Sequence, residues 1–358
     1  MTRLFNRALI GAVAVGSLLA ITPAAFAQSD AGLFKGRTIT FLVPYPPGGS
    51  YDAYARLVQA HMSQYIPGNP NIIVQNMGGG GGSKGTNFFY RTAPKDGTML
   101  LFPPDAYAIS PILQPKRAKH DPTKLISIGS IVPVNPVVMV RKDAKATTVE
   151  ALREIEIPLA CSGRGSQSFI MPAAMKHLLG FKWKLICGYK GSAPMGLALK
   201  RGEVHGQSSA WASWRIREAD LIKSGEIKPI VQIGLVRETE LPDVPLMQEL
   251  TNDPKAKKAL EFLSTGSAIG RSMVAAPDTD KDRVAALRQA FVKVMKDPDF
   301  LADAKKRRAL VNPTAGAEIQ ALVDAAQNTP QEVIDLAIAS QSTKAEKCTV
   351  NCTKPKKK

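Results

Sequence analysis

Four short segments rich in glycine and hydroxyl residues are where this sequence could do chemistry. The first is Gly48-Gly49-Ser50, with Asp52 and Arg56 four residues apart just beyond it. If a helix starts there, Ser50 is a natural N-cap and Asp52 complements the positive end of the helix dipole. Free backbone N–H groups at such a start form an anion site without any charged side chain. A tight turn with glycines for geometry alone accounts for the same residues equally well. The second segment, Gly80-Gly81-Gly82-Ser83-Lys84-Gly85, satisfies G-x-G-x-x-G, and Asp105 follows about 20 residues on, where a ribose-binding acid would stand. That match lies in a glycine run after the second strand rather than the first, and Asp105 sits behind Pro103-Pro104. Lys84 has Ser83 before it and Gly85 after it, so the run is not a Walker A loop. Gly81-Gly82-Ser83-Lys84-Gly85 also fits G-x-S-x-G, but a nucleophile elbow needs its serine on a sharp turn directly between strand and helix, and the strand here ends near Gln75. A backbone-lined ligand or packing loop is the better reading.

The third segment is Ser162-Gly163-Arg164-Gly165-Ser166-Gln167-Ser168 and the fourth is Gly188-Tyr189-Lys190-Gly191-Ser192. No sequence partner marks a base for Ser166 or Ser168, the nearest histidine being His177, so their hydroxyls read as hydrogen-bond donors to a ligand. His61, His120, His177 and His205 are scattered without metal-ligand spacing, and no CxxC occurs, so no metal is expected.

The elements that position these segments alternate. Thr38–Val43, Asn71–Gln75 and Thr98–Phe102 read as strands, with a helix carrying Ala55, Val58, Met62 and Ile66 on one apolar stripe after the first. Ile157–Cys161 then leads into a helix over Phe169–Leu179, Leu185–Cys187 into a helix over Met195–Arg201, and Pro229–Ile233 is a further strand. Strand, small-residue loop, helix is the pattern of parallel α/β sheets, which bind ligands at the carboxyl ends of their strands. Ile131–Val140 and Thr265–Val274 read as extended stretches passing between two α/β lobes, 32–135 with 268–340 and 136–267. Val284–Met295 and Gly316–Ala339 read as helices that finish the chain, followed by a basic tail, 341–358.

Residues 1–27 read as a secretory signal peptide. Arg3 and Arg7 precede an apolar run from Ala8 to Ile21, too short to span a bilayer, and Ala25-Phe26-Ala27 supplies a small-x-small cleavage pattern. Export to the periplasm, without an anchor, follows as the expectation. In an oxidising compartment Cys161, Cys187, Cys348 and Cys352 can pair in three ways. Cys161 and Cys187 each end a β-like run, and adjacent strand ends would bring them together. The chain is 358 residues long with net charge +17, spread without an aromatic-interleaved basic stripe, which disfavours nucleic acid as a partner.

Several blocks, in order, resemble the solute-binding proteins of tripartite tricarboxylate transporters, the Bug family. They are Thr40-Phe41-Leu42-Val43-Pro44-Tyr45-Pro46-Pro47-Gly48-Gly49-Ser50-Tyr51-Asp52, Asn76-Met77-Gly78-Gly79-Gly80-Gly81, Ala93-Pro94-Lys95-Asp96-Gly97-Thr98, Gly188-Tyr189-Lys190-Gly191-Ser192-Ala193 and Leu241-Pro242-Asp243-Val244-Pro245. The resemblance covers roughly residues 35–335. It implies an α/β, two-lobed Venus flytrap with a hinge of crossover strands, closing on a small carboxylate, either a di- or tricarboxylate or an aromatic acid. Carried over, the ligand residues are Tyr45, Gly48, Gly49, Ser50 and Asp52, then Gly80, Gly81 and Ser83. The other lobe supplies Gly165, Ser166 and Ser168, with Tyr189, Lys190, Gly191 and Ser192. The implied partners are the carboxylate and membrane permease subunits, with no cofactor and no catalytic residue, and the chain is expected to act as a monomer. The sequence departs from the family at His205-Gly206-Gln207-Ser208-Ser209, where many relatives have an acidic residue, and at Phe169, where they often carry histidine. Trp211 and Trp214 stand where they could line the mouth. The alternative of another class is a secreted α/β enzyme, a hydrolase or dehydrogenase acting on a small acid.

Overall fold

Thr38–Val43 (β1) and Asn71–Asn76 (β2) pair in parallel, register running from Thr38 opposite Asn71 to Val43 opposite Asn76. A parallel pair needs a crossover, and the helix Ser50–Met62 supplies it, burying Tyr54, Leu57, Val58 and Met62. Met99–Leu101 (β3) adds in parallel to the other side of β1, and Ile126–Ser130 (β4) ends this first pass. The chain then builds a second sheet from Pro136–Arg141 (β5), Ile157–Cys161 (β6), Trp183–Cys187 (β7), Gly206–Ala210 (β8) and Ile227–Gln232 (β9), in the order β7-β6-β8-β5-β9. There β6 is parallel to both its neighbours and β5 antiparallel to both of its own. Ser272–Ala275 (β10) and Thr314–Ala315 (β11) return to the first sheet, giving β11-β4-β10-β3-β1-β2 with β10 antiparallel to β3 and β4. This computed structural model describes residues 32–341. The expected signal peptide, 1–27, and the tail beyond Gln341, with Cys348 and Cys352, lie outside the described residues.

Strand alternation sorts the core. Phe41 and Val43 enter one apolar cluster together with Val137 and Met139 of the second sheet, whereas Leu42 enters another together with Val138 and Val140. The central strands of both sheets are covered on both faces, whereas the edge strand β2 leaves Ile73 and Gln75 exposed.

Between the lobes, the outgoing and returning chains pair with one another. Ile131 N donates to Arg271 O (2.8 Å), Arg271 N to Val132 O (2.9 Å) and Val134 N to Ser267 O (2.9 Å). Gly270 sits in this ladder with φ +58°, and a Cβ there would collide with the Val132 carbonyl, so only glycine fits.

Two expectations need correction. Thr265–Ile269 is not extended. It is the end of a helix, Pro254–Ile269, which begins with Asp253 capping Lys255 N and Pro254 in its first turn. Its small polar residues satisfy their buried hydroxyls within the helix, Ser264 and Ser267 donating back to the carbonyls of Leu260 and Ser264, while packing on the neighbouring helices holds the segment. This helix packs on the helices at 316–327 and 331–339 of the first lobe as well as on the second-lobe helix Gln167–Leu179. Gly316–Ala339 is likewise not one helix. It breaks into Gly316–Gln327 and Gln331–Ala339 because Pro330 cannot continue the first helix and caps the second.

Candidate functional site

Three strands of this fold end in loops that open three helices at one place. β1 leads through Pro44–Gly49 to the helix Ser50–Met62, β6 through Ser162–Ser166 to Gln167–Leu179, and β7 through Gly188–Gly191 to Ser192–Lys200. The first residues of all three line one chamber of about 90 Å³ between the lobes. Each helix start carries roughly half a positive charge on unbonded N–H groups, so the chamber attracts an anion. On the second lobe the two loops share a covalent root. Cys161 and Cys187 face each other in the register of β6 and β7, with Cα atoms 4.4 Å apart, and form the disulfide expected from their strand ends.

The hydroxyls are organised rather than free. Ser162 Oγ donates to Ser166 Oγ (2.7 Å), Ser166 Oγ lies 2.8 Å from Ser168 Oγ, and Ser162 N donates to Ser168 Oγ (3.0 Å). Ser50 is not the helix cap. Gly49 holds that position, and Ser50 Oγ is buried, accepting from Ser213 Oγ (2.9 Å) and from Arg271 Nε (3.1 Å). With both lone pairs engaged, its own O–H is left to donate into the chamber.

The chamber wall includes an ion pair that joins Arg271, just before β10, to Asp105 in the turn after β3. Arg271 Nη1 donates to Asp105 Oδ1 at 2.5 Å, with the two side chains 1% and 4% exposed. The guanidinium sits 4.0 Å from the centroid of the Tyr51 ring, which stacks on Tyr45 at 4.8 Å. Asp105 N donates to the Tyr51 hydroxyl (2.8 Å), and the Tyr45 hydroxyl donates to Gly81 O (3.0 Å). Burial, reinforced by the Asp105 charge, pushes both phenols well above their ordinary range, so they remain neutral donors. Burial also pushes the Asp105 carboxyl up, opposed by the Arg271 guanidinium beside it.

Of the residues carried over from sequence, Tyr45, Gly49, Ser50, Ser166, Ser168, Lys190, Gly191 and Ser192 line this chamber. The others lie elsewhere. Asp52 turns back to accept from Gly48 N, Arg56 Nε and Asn76 Nδ2, each at 3.1 Å, and so braces the first loop from behind. The Gly48 carbonyl accepts from Arg217 Nη1 of the other lobe (2.6 Å). Gly80, Gly81 and Tyr189 line a wider groove of about 540 Å³ outside Pro46 and Pro47, while Ser83 and Gly165 line a recess on the far side of the glycine loop. The glycine loops of the two lobes meet backbone to backbone: a Cβ on Gly81 would stand 2.5 Å from Ser166 N, and one on Gly165 2.6 Å from Gly80 O. Ser83 Oγ is exposed and donates to Gly80 O, which leaves the formal G-x-S-x-G match without an activating base. Trp211 and Trp214 do not line the chamber; both are buried, their indole N–H groups bonded to Glu240 and to Val137 O. Sequence reasoning missed Arg271, Tyr51 and Ser208 as wall residues and weighed Asp105 only as a ribose ligand. Nothing in local spacing joins Arg271 to a partner 166 residues away.

The family model described as tripartite tricarboxylate transporter family receptor matches residues 54–334. Protein BugT of Bordetella pertussis is 28% identical over 245 residues, 66% of this chain and 73% of that protein. The solved periplasmic binding protein BugD superposes with a TM-score of 0.66 at 25% identity, covering 85% of this chain and 96% of that one. MatC of Rhodopseudomonas palustris, solved with bound malate, has the same fold, with a TM-score of 0.65 at 22% identity over 86% of this chain and all of that one. Among the described residues no helix is long and apolar enough to cross a membrane.

Proposed function

This chain belongs to the tripartite tricarboxylate transporter receptor family, and from that premise we propose that it closes two lobes over a small organic carboxylate in the periplasm and delivers it to membrane permease subunits. Members of the family are substrate-binding receptors, not enzymes. The observation that carries the ligand class is the convergence of three helix starts and their hydroxyls on one chamber between lobes joined by a paired hinge. An anion there is held by N–H and O–H donors, with Lys190 as the one wall cation, among the described residues, that no aspartate neutralises. Malate in MatC and adipate in a second Rhodopseudomonas palustris protein of the same fold agree with a carboxylate as cargo. The Cys161–Cys187 disulfide suits an oxidising compartment. The serines bond one another or backbone carbonyls rather than an imidazole, which speaks against a hydrolase.

Calorimetry against a panel of small carboxylates tests the reading, together with Gly49→Val. A Cβ at Gly49 already lies 3.2 Å from Ser192 Oγ, so valine crowds two helix starts at once. One or more acids should bind the native chain and none the variant. Normal binding by Gly49→Val would move the anion site away from the first loop, and no binding by any acid would remove the ligand class.

A further inference from the structure

We infer that the acid held in this chamber carries, besides its carboxylate, a hydrogen-bond donor, a hydroxyl or an amino group, seated among Asp105, Gln167 and Ser208. The inference rests on the carboxylate reading above and narrows it.

Two acceptors and one hydroxyl, which can accept as well as donate, line the wall where a ligand donor would sit. Ser208, on β8, is 1% exposed, yet its Oγ has no hydrogen-bond partner among the described residues although it faces the chamber. Gln167 Oε1, at the start of its helix, is buried and equally without a partner among the described residues. Buried polar atoms are almost always paired, and each exception asks for an explanation. Among the described residues Asp105 is the one carboxylate on the chamber wall. Arg271 Nη1 and the Tyr51 phenol engage it, and a carboxyl group has acceptor lone pairs beyond these two bonds.

The charge balance at this end selects against a second carboxylate. Arg271 is the nearby cation, and its charge is matched by Asp105 at 2.5 Å, while its Nε is committed to Ser50. The helix starts and Lys190 provide for one anionic group. A second one would meet the Asp105 carboxylate across a chamber of about 90 Å³, where like charges repel. An alkyl end would leave Gln167 Oε1 and Ser208 Oγ unpaired. A hydroxyl or ammonium group satisfies them, and an ammonium gains from Asp105 as well.

The test is calorimetry on the intact chain with four matched series from propionate to hexanoate: plain alkanoates, hydroxy acids, amino acids and dicarboxylates. The best hydroxy or amino acid should bind at least about tenfold tighter than the matching alkanoate and dicarboxylate, the gap expected when a buried donor–acceptor pair is made rather than lost. Ser208→Ala combined with Gln167→Leu should reduce that preference to within about threefold of unity. Asp105 is left intact in this test because removing it would strand the buried Arg271 charge. If dicarboxylates or alkanoates bind as tightly as the donor-bearing acids, or if the preference survives the double variant, the inference is overturned while the receptor reading stands. If no acid binds, both fall.

Discussion

Gly81→Ala places one methyl group between the lobes, and its effect separates into two parts. The first is backbone strain. Gly81 has φ +71° and ψ +27°, a left-handed conformation that costs an alanine about 1–2 kcal/mol. The second is steric and exists only where the glycine loops meet. The new Cβ would lie 2.5 Å from Ser166 N and 2.7 Å from Gly165 C, backbone atoms that cannot rotate aside. Restoring normal contact requires the loops to part by about 1 Å. Overpacking of that kind costs about 1–3 kcal/mol, which corresponds to a roughly 5- to 150-fold loss of affinity if ligand is held only by the closed form. Gly180 provides the control. Its φ of +74° and ψ of +16° nearly match those of Gly81, but a Cβ there meets nothing within 4 Å. Gly180→Ala and Gly81→Ala should therefore lower the melting temperature of the ligand-free chain by similar amounts, and only Gly81→Ala should weaken binding in calorimetry. Equal affinity for Gly81→Ala and the native chain would refute the claim that these loops close on each other.

Ser50→Ala removes the acceptor of Arg271 Nε and the hydroxyl proposed to face the ligand. Carboxylate affinity should drop by about 1.5–3 kcal/mol, the range for a hydrogen bond to a charged group, and an unchanged Kd would contradict the assignment. Replacing Cys161 and Cys187 together by alanine opens a loop with a sequence separation of 26, so stability in denaturant should fall by about 3–4 kcal/mol. A double variant as stable as the native chain would show that the disulfide adds nothing. His120 is buried, and burial, opposed by its bond to Tyr107 O and by Asp121, lowers its pKa from the usual 6.5. A group lowered in this way binds its proton more readily when unfolded, so stability should be fully present above pH 6.5 and decline as pH falls below it. His120→Gln should flatten denaturation midpoints between about pH 6.5 and 5, and an unaltered slope would exclude His120 as the source.

The parts of the site legible in the sequence are those written locally. β1, β6 and β7 announce themselves as β-branched and apolar runs, and the loops after them as glycine and serine clusters, so Gly49, Ser50, Ser166, Ser168, Gly191 and Ser192 could be found from the turn that each helix start demands. The same signal also picks out Gly80, Gly81 and Gly165, which lie outside this chamber where the two backbones come close, because glycine at a ligand and glycine at a close backbone approach look alike in sequence. Asp105 and Arg271 were hidden for another reason: their meeting depends on β10 lying antiparallel beside β3, with Val274 opposite Leu101. A contact set by sheet order leaves no periodic trace. The helix ending at Ile269 was misread because its last turns are small and polar, with buried serine hydroxyls bonding back along the helix and tertiary packing overriding their weak propensity.

Arg271 belongs to two structures at once. Its main chain is a rung of the ladder that joins the lobes, and its side chain is part of the chamber wall. Anyone redesigning this chamber for a different cargo therefore cannot treat it as a free position. A residue chosen there for its reach toward a new ligand also sits in the ladder that the proposed closure would bend. Selectivity and the mechanical work of shutting would change together, and a library that varies position 271 should be scored for both.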